Sequence, residues 1–227
     1  MEPLLVLVPV LDRPQNVAPL VASHKFSGTP GRLLFLVNPD DTAELQAIQD
    51  AGASYMTVTA VTWPEKINEG FKYARTVADW ALFGADDVTF HEGWWDATAA
   101  LRAQPEINVI GTNDLGNPAV IAGDHATHPL VRTSYLGTVD DSDKIVHDGY
   151  KHSFVDNEFV TTAKIRGCWA ACPGAVIEHN HPFWGKTHWD DTYGKGQATL
   201  DADGALWQFD RVPRLIRYAK SLGLEIL

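Results

Sequence analysis

Four short strand-like runs, spaced by helical stretches, decide what this 227-residue chain can fold into. Residues 4–10, 32–37 and 80–83 are nearly continuous apolar segments, and 54–61 is a weaker one. A continuous apolar strand is one covered on both faces, as central strands of parallel sheets are. Between the runs, 14–23 opens on Pro14, which suits a first helical turn, with Asp12 as a candidate cap. Residues 42–51 carry Leu45 and Ile48 on one face and stop at Gly52. Residues 65–79 are amphipathic through Ile67, Phe71, Tyr73, Ala74 and Ala78. The βαβαβαβ order predicts an α/β fold, a mostly parallel central sheet flanked by helices.

Ligands bind such sheets at the carboxyl ends of the strands. Three of those ends are polar here: Asp12-Arg13, Asn38 with Asp40 and Asp41, and Asp86-Asp87. The last pair follows the buried run 80–83 directly. Adjacent side chains on an extended segment point to opposite sides, so the two carboxylates cannot do the same job. One can face a ligand while the other reaches a hard cation such as Mg²⁺ or Mn²⁺, which prefers carboxylate and phosphate oxygens. The plain alternative is a turn with two solvated acids. No GxGxxG or GxxxxGK[ST] stretch occurs, so a nucleotide here would rest on carboxylates and a metal instead of a glycine cradle.

A formal charge of -11 argues against a broad grip on nucleic-acid backbones, though not against one local basic groove. The 8 Trp supply flat surface suited to sugars and bases, or simply to the core. Cys168 and Cys172 do not form a CxxC pair and are expected as buried free thiols. No run reaches the roughly 18 apolar residues of a membrane span, which leads us to expect a soluble, cytoplasmic protein.

Farther along, 92–104 reads as a helix with Trp94, Trp95 and Leu101, and 107–111 as a strand. Residues 113–131, rich in Gly, Asn, Asp and His, read as a loop or lid. Asp156-Asn157-Glu158 precedes a helix over 159–165 with Gly167 as its stop. The strand 175–181 ends in alternating imidazoles, His179 and His181. A polar, aromatic stretch over 184–197 leads to a helix over 205–222, broken or kinked at Pro213. With no repeat or linker, one domain over 1–227 is expected, its nucleotide half reaching to about residue 110 and its acceptor half spanning 111–227.

Taken in order, these residues resemble the GT-A glycosyltransferases of family 2, and among them the short phage-encoded members. The resemblance is carried by the opening strand with Arg13, a second strand ending in acids, and Lys66-Ile67-Asn68-Glu69-Gly70. It continues through Gly84-Ala85-Asp86-Asp87, Asp156-x-Glu158 before Arg166-Gly167, and His179-Asn180-His181. No single element is specific; the ordered set is. Two departures stand out. Ala85 replaces the first Asp of a DXD motif, and Val155-Asp156 keeps only the second carboxylate of the ED pair that often holds the base.

The resemblance implies a GT-A fold, a nucleotide-sugar donor (uridine by family frequency), a Mn²⁺ or Mg²⁺ cofactor, and transfer to a hydroxyl with inversion. The acceptor would be a protein, a glycan or hydroxylated bases of phage DNA, and the location the host cytoplasm; no oligomeric state is implied. Asp87 is then the metal carboxylate and Asp86 the ribose- or diphosphate-side partner, with His179 or His181 as a second ligand. Pro9, Val10 and Arg13 would meet the nucleotide, as would Asp40, with Asp41 and Asn38 as alternatives, and Trp63, Lys66 and Asn68 from the following helix start. Asp156 is the expected base, with Glu158 second. Asn113, Asp114 and the segment 184–193, beginning at Trp184, are acceptor-side candidates. Each has a plain alternative: helix caps for Asp41 and Asp156, packing for Trp63, strand ends for the two His. A metal hydrolase built on Asp86, Asp87, His179 and His181, or a nonenzymatic sugar- or nucleotide-binding module, are the competing functions.

Overall fold

The computed structural model describes residues 1–135, 137–141 and 143–224. Strands β1 (Glu2–Pro9), β2 (Arg32–Val37), β3 (Ser54–Thr57) and β4 (Ala78–Phe83) run parallel in the order β3-β2-β1-β4. They are linked by helices α1 (Pro14–Phe26), α2 (Thr42–Asp50) and α3 (Trp63–Val77). The unbroken apolarity of β1 has its reason here. Leu4, Val6 and Val8 pack on one face with Val17, Leu20 and Ile48, while Leu5 and Leu7 pack on the other with Ile67, Phe71 and Ala74.

Several local readings change. Asp12 does not cap α1: it has φ +55°, and Arg13 holds the cap position without a side-chain bond. The third strand stops at Thr57, and α3 starts earlier than expected because Thr62 and Glu65 form a capping box. Ala78 belongs to β4, not to the helix, and Tyr73 lies outside the core.

The second half adds β5 (Val88–Phe90), α4 (Trp94–Ala97), α5 (Ala99–Arg102), β6 (Val109–Asn113), α6 (Pro118–Ile121), β7 (Leu130–Arg132), α7 (Val155–Ile165) and β8 (Trp169–His179). A 3₁₀ turn (Pro182–Trp184), α8 (Asp191–Ala198), α9 (Leu200–Leu206), a π turn (Trp207–Arg211) and α10 (Val212–Ser221) complete it. The sheet continues as β4-β7-β6-β8-β5, with β7 antiparallel to both neighbours, β6 parallel to β8, and β5 antiparallel to β8. The mostly parallel α/β sheet is therefore as expected. Residues 113–131 are not a plain loop, since they hold α6 and the start of β7. The helix expected over 92–104 is two short ones, and the C-terminal helix breaks at the π turn; Pro213 sits in the first turn of α10, where a missing N–H costs nothing. Among the described residues no helix is long and apolar enough to cross a membrane.

The C-terminal helices are fastened to α7 by one buried ion pair. Arg211 donates from Nε and Nη2 to Glu158 at 2.9 and 2.7 Å, and the Tyr150 hydroxyl donates to the same carboxylate at 2.9 Å. Both charged side chains are at most 4% exposed. Removing one partner of a buried pair leaves the other desolvated and unpaired. Arg211→Met is expected to lower unfolding stability by about 3–5 kcal/mol in urea titrations; a loss near zero would show the pair to be incidental.

Candidate functional site

The carboxyl ends of β1 and β4 meet at the paired acids. Gly84 donates its N–H to the Leu7 carbonyl at 2.8 Å, and a Cβ there would lie 3.0 Å from that oxygen, so the chain leaves β4 pressed against β1. Asp86 and Asp87 follow at once, both 8% exposed. Arg13 Nη1, from the β1 end, lies 3.3 Å from Asp86 Oδ1 and 3.7 Å from Asp87 Oδ2. On the far side, β5 pairs Val88 with His179, and the Asn180 N–H donates to the Asp87 carbonyl at 2.8 Å. This register brings His179 Nε2 to 3.3 Å from Asp87 Oδ1. The sequence left His179 and His181 open; the structure puts His179 on the carboxylate. His181 uses Nδ1 to accept the Phe183 N–H and cap the 3₁₀ turn, with its ring stacked on Phe183.

A strap from the C-terminal third lies over this centre. Asp190 takes both Nε and Nη2 of Arg13, at 3.0 and 2.8 Å, and caps α8. Tyr193 lies 3.7 Å beneath the same guanidinium and donates its hydroxyl to Asp87 Oδ2 at 2.8 Å. Thr192 bonds the Leu11 carbonyl, and Lys195 pairs with Asp12. Asp190 was not singled out in the sequence; it falls within the segment 184–193 expected on the acceptor side.

The two acids differ electrically. Burial, then the charge of Asp87, pushes the Asp86 carboxyl up to about 7, against the pull of Arg13. Burial would raise Asp87 as well, but His179 and the Tyr193 hydroxyl outweigh it and hold it below the usual range. Burial would lower His179, yet the facing Asp87 carries it above its ordinary value. Behind it, His128 is fully enclosed and pushed down to about 4 by burial and by His179; its ring meets His179 edge-on at 4.8 Å, and Nδ1 lies 3.1 Å from the Phe83 carbonyl.

The other expected nucleotide residues are spread along the same edge. Pro9 ends β1, Val10 follows it, and buried Lys66 donates to the Val10 carbonyl at 2.7 Å. Asp40 is exposed beside them, while Asp41 caps α2 through the Glu44 N–H. Trp63 packs edge-on to Phe83 at 6.2 Å. Two of these residues also tie the fold together. Asn38 spends its amide on the Val58 and Ala60 carbonyls, clamping β2 to the chain after β3. Asn68 is buried in a reciprocal pair with the Val146 backbone at 3.0 and 3.1 Å, which ties α3 to a distant loop.

On the acceptor side, Asp156 sits in the first turn of α7 and not at its cap, which is Phe154 with φ +65°. Its carboxylate is 29% exposed and meets His125 Nε2 at 2.9 Å. Glu158, the second choice for a base, is engaged by the Arg211 pair described above. Asp114, 1% exposed, folds its own loop by accepting from Gly116, Asn117 and Thr127. Asn113 holds the Pro173 carbonyl and the Leu115 N–H. Trp184 lies against Gly116, where a Cβ would come within 2.5 Å of its ring.

No family model matches the sequence, and no curated protein does. Solved structures do. Glucosyl-3-phosphoglycerate synthase from Mycobacterium tuberculosis, crystallised with Mn²⁺, uridine diphosphate glucose and phosphoglyceric acid, matches with TM-score 0.62 at 11% identity, over 90% of this chain and 79% of that one. The same enzyme with Mg²⁺ and uridine diphosphate matches with TM-score 0.59 at 12% identity, over 90% and 78%. A further mycobacterial protein matches with TM-score 0.61 at 13% identity, over 89% and 74%. At such identities the likeness establishes a shared GT-A-type fold.

Arg13 is anchored from behind by Glu44, another residue the sequence did not single out. Its Oε2 accepts the Arg13 N–H at 2.9 Å, Oε1 has no hydrogen bond, and the residue is fully buried. Burial pushes its carboxyl up to about 7. Between its ordinary value and 7 the folded chain holds a proton that the unfolded chain has lost, so stability falls as pH rises through that window. Melting temperatures of Glu44→Gln should therefore gain on the parent from about pH 5 to about pH 7 and run parallel above it; parallel curves throughout would contradict a buried, proton-holding Glu44.

Proposed function

We propose that this chain is a metal-dependent glycosyltransferase of the GT-A type, nearest in pattern to phage-encoded members of family 2. It moves a sugar with inversion from a uridine diphosphate sugar to a hydroxyl. The observation that carries the reading is the buried Asp86-Asp87 pair, held between Arg13 and His179 where a mostly parallel sheet presents its strand ends. The nucleotide half spans the first 110 residues or so, with base and ribose across Pro9, Val10, Asp40, Trp63 and Lys66 and the diphosphate near Arg13 and Asp86.

A divalent cation fits this donor set. Asp87 Oδ1 is a buried carboxylate oxygen with no hydrogen bond, facing an imidazole nitrogen. Among the described residues no group of three or more acidic, His or Cys side chains gathers to hold an ion alone. Asp87 and His179 would hold Mn²⁺ or Mg²⁺, with phosphate oxygens of the donor completing the shell. When bound, the cation offsets the charge that builds on the leaving diphosphate. A metal hydrolase would need more protein ligands than these.

The chain's own residues do the rest. Arg13 offers a guanidinium to the diphosphate, and Asp190 now occupies it as a carboxylate stand-in for that anion. Asp156 takes the proton of the attacking hydroxyl. Burial would raise its carboxyl, but the His125 contact and local N–H groups hold it below the usual range, ionised and ready to accept. The acceptor is a protein, a glycan or hydroxylated phage DNA bases, met in the host cytoplasm.

Asp156→Asn is expected to cut turnover roughly 10²–10⁴-fold while uridine diphosphate still binds; full turnover by this variant would remove Asp156 as the base. Asp190→Asn, which can still cap α8, should tighten uridine diphosphate binding roughly two- to fivefold by freeing Arg13 of a half-exposed ion pair. Weaker binding in calorimetry would mean that Asp190 supports the bound state instead of competing with the ligand.

A further inference from the structure

We propose that His125 is a positioning residue for the Asp156 carboxylate, a role that rests on the glycosyl-transfer reading above. Asp156 Oδ1 accepts the Asn157 N–H at 3.0 Å, and Oδ2 meets His125 Nε2 at 2.9 Å. The imidazole is only 11% exposed, and the carboxylate, at 29%, keeps an open edge. An ionised carboxylate has no proton to give, so the imidazole donates from Nε2. Two donors from different elements fix the plane of the carboxylate and leave its open edge for a third.

Both partners sit on pinned chain. The segment carrying His125 is held on either side: Lys164 Nζ bonds the Asp124 carbonyl at 2.6 Å, the Thr127 hydroxyl bonds Asp114, and His128 Nδ1 meets the Phe83 carbonyl. Ahead of Asp156, the buried Asp203 carboxylate accepts the N–H groups of Lys151, His152 and Ser153, each at 2.9 Å. The dyad is therefore set before any ligand arrives.

In the step this serves, the acceptor O–H proton passes to Asp156 and the acceptor oxygen bonds to the anomeric carbon. The bond from that carbon to the diphosphate breaks, its electron pair leaving on the diphosphate. His125 touches none of the reacting atoms. It keeps its Nε2–H throughout and acts only through the carboxylate. A purely structural ion pair would make the same contact, so the test has to separate the two.

The readout is release of uridine diphosphate from a uridine diphosphate sugar with Mn²⁺ and water as acceptor, on purified full-length protein. The donor is whichever of the glucose, galactose and N-acetylglucosamine forms the parent turns over fastest. His125→Ala should lower kcat roughly 10–100-fold, the usual loss on removing an outer partner, with donor KM within twofold. His125→Gln, which keeps an N–H at similar reach, should recover most of it. Placed on Asp156→Asn, His125→Ala should add no further loss, because both changes act on one group. Parent-like kcat in His125→Ala, or losses that multiply in the double variant, would overturn the proposal. So would a kcat that tracks a fall in melting temperature and is not recovered by Gln. Uridine diphosphate failing to bind the parent would instead defeat the glycosyltransferase reading, and full activity of Asp156→Asn would defeat the choice of base.

Discussion

Two carboxylates buried side by side repel each other, and burying each costs desolvation, so the pair persists only where cations and donors are brought to it. Asp86 and Asp87 draw theirs from three distant parts of the chain: Arg13 after β1, His179 at the end of β8, and Tyr193 in α8. The same demand explains why β8 carries its imidazole where it pairs with β5, and why Glu44 and Asp190 hold Arg13 from opposite sides. The fold brings the first and last thirds of the sequence to one point, and that point is electrically unsettled: one acid is pushed up to about 7 while its neighbour is held low. Perturbed acids at a strand-end crevice mark a candidate functional site.

The element order up to Phe83 was legible because its signals are local. Apolar runs covered on both faces, Pro14 at a helix start and Gly52 at a helix end each report on neighbours within a turn or two. The β2 bounds and the parallel order follow from that pattern. Short strands were not legible. Val88–Phe90 and Leu130–Arg132 are three residues each and owe their existence to β8, β4 and β6, which lie far away in sequence. The capping box at Thr62 was available from Thr62-x-x-Glu65 and would have placed the start of α3 correctly.

The candidate site divides along the same line. That Asp86-Asp87 ends a buried strand is local information, and the pair stands where the strand run put it. Which imidazole faces Asp87 depends on the register of β8 against β5, and no spacing rule reaches that. Glu158 and Asn68 each fit a family position, and each bonds a partner dozens of residues away, Arg211 and Val146, that no local pattern announces. His125 carried no signal beyond lying in a His-containing irregular segment, because its partner is 31 residues on.

The central claim is that Asp87 and His179 hold a divalent cation together with a nucleoside diphosphate. Calorimetry of uridine diphosphate binding, with and without Mn²⁺, on the parent and on Asp87→Asn tests it most directly. The account predicts that Mn²⁺ strengthens binding to the parent at least tenfold, and that Asp87→Asn keeps its fold and loses that gain. Binding to the parent that is indifferent to Mn²⁺, or an Asp87→Asn variant with the full gain, would contradict it.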